Sequence, residues 1–126
     1  MKKIIILGTG FGQKPLVDIA KRLNIFSIGI DIDRNSQCSQ DVDRFYEVDI
    51  KDTSRVLRIA MQEKIDAIMT MQSDLPVPVI GRVNDELNLK GVTFNTAEIC
   101  SNKDRFRQAL KNTNCKQPSF EIVKSE

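Results

Sequence analysis

Residues 2–23 constrain this chain more than any other stretch. Lys3-Ile4-Ile5-Ile6-Leu7 is an unbroken apolar run, Gly8-Thr9-Gly10-Phe11-Gly12 is a glycine loop, and residues 13–23 have helical spacing. A continuous Ile/Leu run suits a strand buried on both faces, as in a parallel sheet covered above and below. Glycines fit where the backbone reverses tightly or must approach something closely. In the segment that follows, Leu16, Ala20 and Leu23 fall on one helical face and Asp18, Lys21 and Arg22 on others. Such a pattern is that of an amphipathic helix. Strand, glycine loop and helix together make the first unit of a doubly wound α/β domain, with an anion-friendly loop.

The same alternation continues downstream. Residues 25–30 read as a second buried strand ending at Asp31, and residues 31–36 as a polar turn. A brief strand at 45–48 precedes a helix over 53–64, with Asp52 as its N-cap and Val56, Ile59, Ala60 and Met61 as its apolar stripe. Residues 67–71 give a fourth strand, closed by Gln72-Ser73-Asp74. Pro76 and Pro78 sit where a helix's first turn tolerates proline, and Val79, Val83 and Leu87 continue that helix. Residues 89–94 read as a short fifth strand. The βαβ alternation implies right-handed crossovers and a Rossmann-like α/β fold: a doubly wound parallel sheet of strand order 3-2-1-4-5, helices on both faces. The crevice then opens beside the loops after strands 1 and 4.

From Asn95 the character changes. Residues 96–100 amount to at most a helical turn. Ser101 and Asp104 suggest a capping box for a last helix whose apolar face carries Phe106, Ala109 and Leu110. Pro118 leads into an extended stretch at 119–123. The expected division is a domain over 1–95, then a linker helix and the start of a further domain over 96–126.

Composition excludes several classes. A net charge of +2, with no long basic run, argues against a nucleic-acid module. No apolar stretch approaches the roughly 20 residues that span a bilayer, and the lysines at the N-terminus lead into a glycine loop rather than a cleavage site. A cytoplasmic chain without nucleic-acid or membrane partners is expected. Cys38, Cys100 and Cys115 are odd in number and form no C-x-x-C, which favours reduced thiols. Histidine is absent, so no His-dependent triad can form within these residues.

Each chemical signal has two readings at this level. The glycine loop departs from the dinucleotide fingerprint, because Gln13 stands where the third glycine belongs. Asp31 is placed to meet a ribose hydroxyl, yet Asp31-x-Asp33 is also ordinary turn chemistry. A small NAD- or nucleotide-sensing module is therefore the alternative reading. Lys14 in a first helical turn opposes the macrodipole, which an anionic ligand over 10–13 would reverse; a solvated lysine is the plainer account. Ser73 and Asp74 either hold a polar or cationic substrate or cap the next helix. Lys103 and Arg105 open the last helix, where basic residues again suit an anion better than the dipole.

Taken in order, Ile5 to Leu16, then Gly29-Ile30-Asp31, Thr70-Met71-Gln72-Ser73-Asp74, and Asn102-Lys103-Asp104-Arg105-Phe106-Arg107 with Pro118 following, resemble the N-terminal (preATP-grasp) domain of ATP-grasp ligases. The likeness is nearest to proteins like the carbamoyl-phosphate synthase large chain, and covers the whole chain. It implies an ATP-dependent carboxylate–amine ligase working through an acylphosphate. Gly10, Gly12, Gln13, Lys14, Ser73 and Asp74 would line the acceptor-substrate site, and Lys103 would reach ATP phosphates. ATP and Mg2+ would be gripped mostly by an ATP-grasp core supplied in cis or in trans. The residues here would then be a truncated form or one piece of a split ligase, not catalytic alone. Self-association through the Phe106 and Leu110 face, giving a homodimer, is a further expectation.

Overall fold

A computed structural model describes residues 1–111 and 113–123. Four parallel strands, β1 (Lys3–Leu7), β2 (Phe26–Asp31), β3 (Arg44–Glu47) and β4 (Ala67–Met69), form one sheet in the order β3-β2-β1-β4. Ile5 stands between Ile28 on one side and Ile68 on the other. Residues alternate in facing direction along a strand, so the Ile/Leu run feeds two cores. Ile5 and Leu7 join Ile28, Ile30 and the apolar faces of α2 (Thr53–Glu63) and α3 (Val77–Leu87). Ile6 joins Leu16 and Val17 of α1 (Lys14–Arg22) and the buried Cys38 on the opposite face. This is the doubly wound arrangement, with helices above and below.

Local chemistry accounts for the helix starts. Asp52 caps α2 by accepting the Arg55 N–H at 3.0 Å. Pro78 occupies the first turn of α3, where no intrahelical donor is lost. Two apolar stripes differ from expectation by a single residue. In α1 the buried residues are Leu16, Val17 and Ala20, while Leu23 lies just past the helix end and is exposed. In α2 the exposed Met61 lies beside the core rather than in it, over a surface hollow shared with Leu87 and Leu89.

The fifth strand expected at 89–94 does not form, so the sheet order ends at β4. Competing side-chain bonds explain this. The buried Asn84 amide donates to the Val92 carbonyl at 3.0 Å, and Gly91 packs so closely on Asn84 that a Cβ there would collide. Thr93 then caps a full helix, α4 (Phe94–Ser101), by accepting the Thr96 N–H at 3.2 Å. Residues 96–100 are thus helix, not a single turn. Asn102, rather than Ser101, caps α5 (Lys103–Lys111), accepting the Arg105 N–H at 3.0 Å. Ser101 is unavailable because α4 consumes it as its last residue. No residue of α5 is buried, and residues 119–123 are not in a strand. Residues 112 and 124–126, which the expected linker segment includes, lie outside the described residues.

At the amino edge of the sheet the chain buries a carboxylate. Glu63, 3% exposed, accepts from Arg44 and the Tyr46 hydroxyl, each at 2.5 Å, and from Lys3 at 3.4 Å. The Tyr46 and Arg44 hydrogen bonds hold its carboxyl below the usual glutamate range despite burial.

Candidate functional site at the carboxyl edge of the sheet

The loops after β1, β2 and β4 converge at the opposite edge. Gly8 leaves β1 with φ +88°, a left-handed conformation that favours glycine, while its N–H extends the ladder to the Ile30 carbonyl at 2.8 Å. Thr9, fully buried, donates its N–H to the Asp31 carboxylate at 2.7 Å, and its hydroxyl meets that of Ser36. The other Asp31 oxygen accepts the Asp33 N–H at 3.0 Å. Asp31 therefore binds the first loop to the second.

Gln13 ends the single 3-10 turn Phe11–Gln13 and is buried. Its amide oxygen accepts the Met71 N–H at 2.8 Å, and its amide nitrogen donates to the Met71 carbonyl. In effect the side chain pairs with the backbone beyond β4 as a further strand residue would. Thr70 adds to the same seam by donating its hydroxyl to the Leu7 carbonyl at 2.9 Å. Gln13 also runs beneath Gly8, whose Cβ would lie 3.7 Å from Gln13 Cγ. The third-glycine position of a dinucleotide loop is thus filled by a strut between two strands. Gly12 touches the next loop: a Cβ there would lie 2.9 Å from the Gln72 amide oxygen. Gln72 itself adopts φ +55°.

The structure brings Gly10, Gly12 and Gln13 to the same edge as Ser73 and Asp74. Gly10 and Ser73 are half-buried and Asp74 is exposed. Asp74 also lines an open hollow of about 400 Å3 with Leu75, Pro78, Glu98, Ser101 and Asn102. Glu98 is paired with Arg105 at 3.1 Å. Lys103 follows Asn102 directly and is exposed at the head of α5. Lys14 lies elsewhere in its local bonding: it contacts Asp18 at 2.5 Å and Asp41 at 3.8 Å. The Asp18 hydrogen bond raises its pKa, and its charge is matched within α1 and the β2–β3 connection. Cys38 is buried behind the same loop, and burial pushes its thiol up, away from reactivity.

Gln72 and Asn102 are the residues that pattern reasoning passed over. Gln72 is visible only as part of Gln72-Ser73-Asp74, and its role comes from contact with Gly12, 60 residues earlier in the chain. Among the described residues, no group of three or more Cys, Asp or Glu side chains is placed to hold a metal ion. No helix among them is long and apolar enough to cross a membrane.

No protein-family model matches the chain. It is 31% identical over 124 residues to a formate-dependent phosphoribosylglycinamide formyltransferase from Prochlorococcus marinus, covering 97% of this chain and 32% of that protein. The fold superposes on phosphoribosylglycinamide synthetase from Anaerococcus prevotii with TM-score 0.80 and 28% identity, over 87% of this chain and 28% of the other. N5-carboxyaminoimidazole ribonucleotide synthetase from Thermotoga maritima shares the fold at TM-score 0.77 and 23% identity, covering 99% of this chain and 34% of that one. The chain spans about a third of the length of the curated relatives it matches.

Proposed function

From the premise that this chain is an N-terminal domain of the ATP-grasp ligase type, we propose that its carboxyl edge is the acceptor-substrate wall of an ATP-dependent carboxylate–amine ligase. The observation that carries the reading is the seam where the loops after β1 and β4 meet, Gln13 on Met71 and Gly12 on Gln72. That seam sets Gly10, Gly12, Ser73 and Asp74 along one rim and leads, through the hollow beside Asn102, to Lys103.

In this reading, Gly10 offers backbone close to the acceptor, and Gly12 leaves room for the Gln72 side chain that packs against it. Ser73 and Asp74 supply hydroxyl and carboxylate groups toward it. Gln13 is a positioning residue, since both atoms of its amide are committed to Met71. Lys14 stands at the border of the wall, its charge matched by Asp18 and Asp41. ATP would transfer its terminal phosphoryl group to a carboxylate and leave as ADP, and an amine would then attack the acylphosphate and expel phosphate. Of the residues here, only Lys103 is assigned to the nucleotide, as an exposed cation at the head of α5. Mg2+ and the rest of ATP fall to an ATP-grasp core in cis or in trans. A second copy of the chain, packed through Phe106 and Leu110 of the unburied α5, would give a homodimer.

Calorimetric titration of the 126-residue chain with Mg-ATP tests the division of labour. Feeble, millimolar binding is expected, and low-micromolar affinity would overturn it. The dinucleotide alternative is tested by thermal melting with NAD. Since the Asp31 carboxylate already accepts from Thr9 and Asp33, no stabilisation is expected.

A further inference from the structure

We infer that the acceptor seated on this rim is a primary amine carrying an apolar or aromatic substituent, rather than a phosphorylated amine. The inference rests on the substrate-wall reading and names the substrate class for it. Two features of the hollow carry it. The first is charge. Asp74 and Glu98 both line it; Glu98 is matched by Arg105, whereas no cation among the described residues pairs with Asp74. One unmatched carboxylate at the mouth of a hollow attracts an ammonium group and repels a phosphate.

The second feature is apolar surface where a polar rim would be expected. Leu75, beside Asp74, is 59% exposed and lines the hollow with Pro78. Outside the hollow's lining, Phe11 is 79% exposed at the tip of the glycine loop and adds apolar surface to the same edge of the sheet. Large apolar side chains so placed bind poorly to a sugar phosphate but well to an aliphatic or aromatic group. Of the cations near the hollow, Lys103 beside Asn102 is the one that the substrate-wall reading gives to the nucleotide, and the others are paired. Lys14 is held by Asp18 and Asp41, and Arg105 by Glu98. An acceptor with its ammonium on Asp74 and its substituent against Leu75 and Pro78 satisfies both features at once.

The test uses the 15N-labelled chain and three probes: L-phenylalaninamide, glycinamide and ribose 5-phosphate. L-Phenylalaninamide is expected to shift the amide resonances of Asp74, Leu75 and Asn102 saturably at millimolar concentration. Glycinamide, which lacks the substituent, should bind at least several-fold more weakly, and ribose 5-phosphate should not saturate. Leu75→Ala should weaken L-phenylalaninamide about fivefold, and Asp74→Asn about tenfold. Both positions are exposed, so the folded spectrum should persist in each variant. The inference is overturned if ribose 5-phosphate saturates these resonances more tightly than L-phenylalaninamide, if no probe shifts them, or if neither variant changes the affinity. Such a result combined with feeble Mg-ATP binding removes only the acceptor class. Low-micromolar Mg-ATP binding removes the substrate-wall reading itself.

Discussion

Replacing Gln13 by Glu changes one atom's chemistry in the strut that ties the glycine loop to β4. Glu keeps the acceptor that receives the Met71 N–H at 2.8 Å. It replaces the donor that faces the Met71 carbonyl with a second oxygen, so an ionised Glu loses that hydrogen bond and places like partial charges together. The side chain is 5% exposed, so desolvation adds to the penalty. A lost buried hydrogen bond with an unmet carbonyl costs about 1–3 kcal/mol, and partial exposure of Met71 keeps the total near 2 kcal/mol at neutral pH. Burial and the facing carbonyl both favour the neutral acid, so the variant's folded pKa lies above its unfolded value. The sign follows: below the unfolded pKa the acid form donates to the carbonyl and the penalty vanishes, and it grows as pH rises toward the folded pKa. Urea unfolding of wild type and Gln13→Glu at pH 7 and at about pH 4 should therefore give a gap that closes on acidification. An equal gap at both pH values, or none at pH 7, would refute the assignment of Gln13 as the strut.

Three further outcomes test other parts of the fold. Glu63→Gln should cost about 2 kcal/mol at pH 7 by urea unfolding. Because wild-type Glu63 has a lowered folded pKa, its contribution is present above the unfolded pKa and lost as pH falls through the folded one, so this gap also narrows in acid. Gly81→Ala should destabilise by about 1–3 kcal/mol in the same assay. The new Cβ would sit 2.7 Å from the Phe94 Cα and 2.8 Å from the Thr93 carbonyl, backbone atoms that cannot turn aside. A thiol reagent added to native protein should label Cys100 and Cys115 quickly and Cys38 only on unfolding, as read by mass spectrometry of the labelled peptides.

The parts of this fold that were legible beforehand are those written in local pattern. The Ile run of β1, the glycine loop, the Asp52 cap and the two prolines at the start of α3 each specify a conformation within a few residues. Other features depend on partners far away in sequence. Gln13 is plainly a departure from a dinucleotide loop, but that its amide completes the seam with Met71 follows only once β4 lies beside β1. Asp31 reads either as a ribose ligand or as a turn residue until Thr9 is seen to occupy it. The missing fifth strand has the same origin. Residues 89–94 have strand-like composition, but Asn84 takes the Val92 carbonyl and Asp85 the Phe94 N–H, backbone groups that a ladder would need. The helix at 94–101 is weakly amphipathic and buries only Ala97, so periodicity gave little sign of it.

The two ends of the sheet divide their polar chemistry in a way that bears on function. At the amino edge, the charge of Glu63 is consumed inward by Arg44, Tyr46 and Lys3, and Lys2 closes on Asp66 at 2.5 Å. At the carboxyl edge, Thr9, Gln13 and Asp31 are spent fixing the loops to one another. What remains turned outward there is backbone at Gly10, the Asp74 carboxylate, and the apolar Phe11 and Leu75. A rim held rigid from behind orients a substrate at little entropic cost to itself. Its outward groups suit binding and placement more than bond-making, which is what the proposed substrate wall requires.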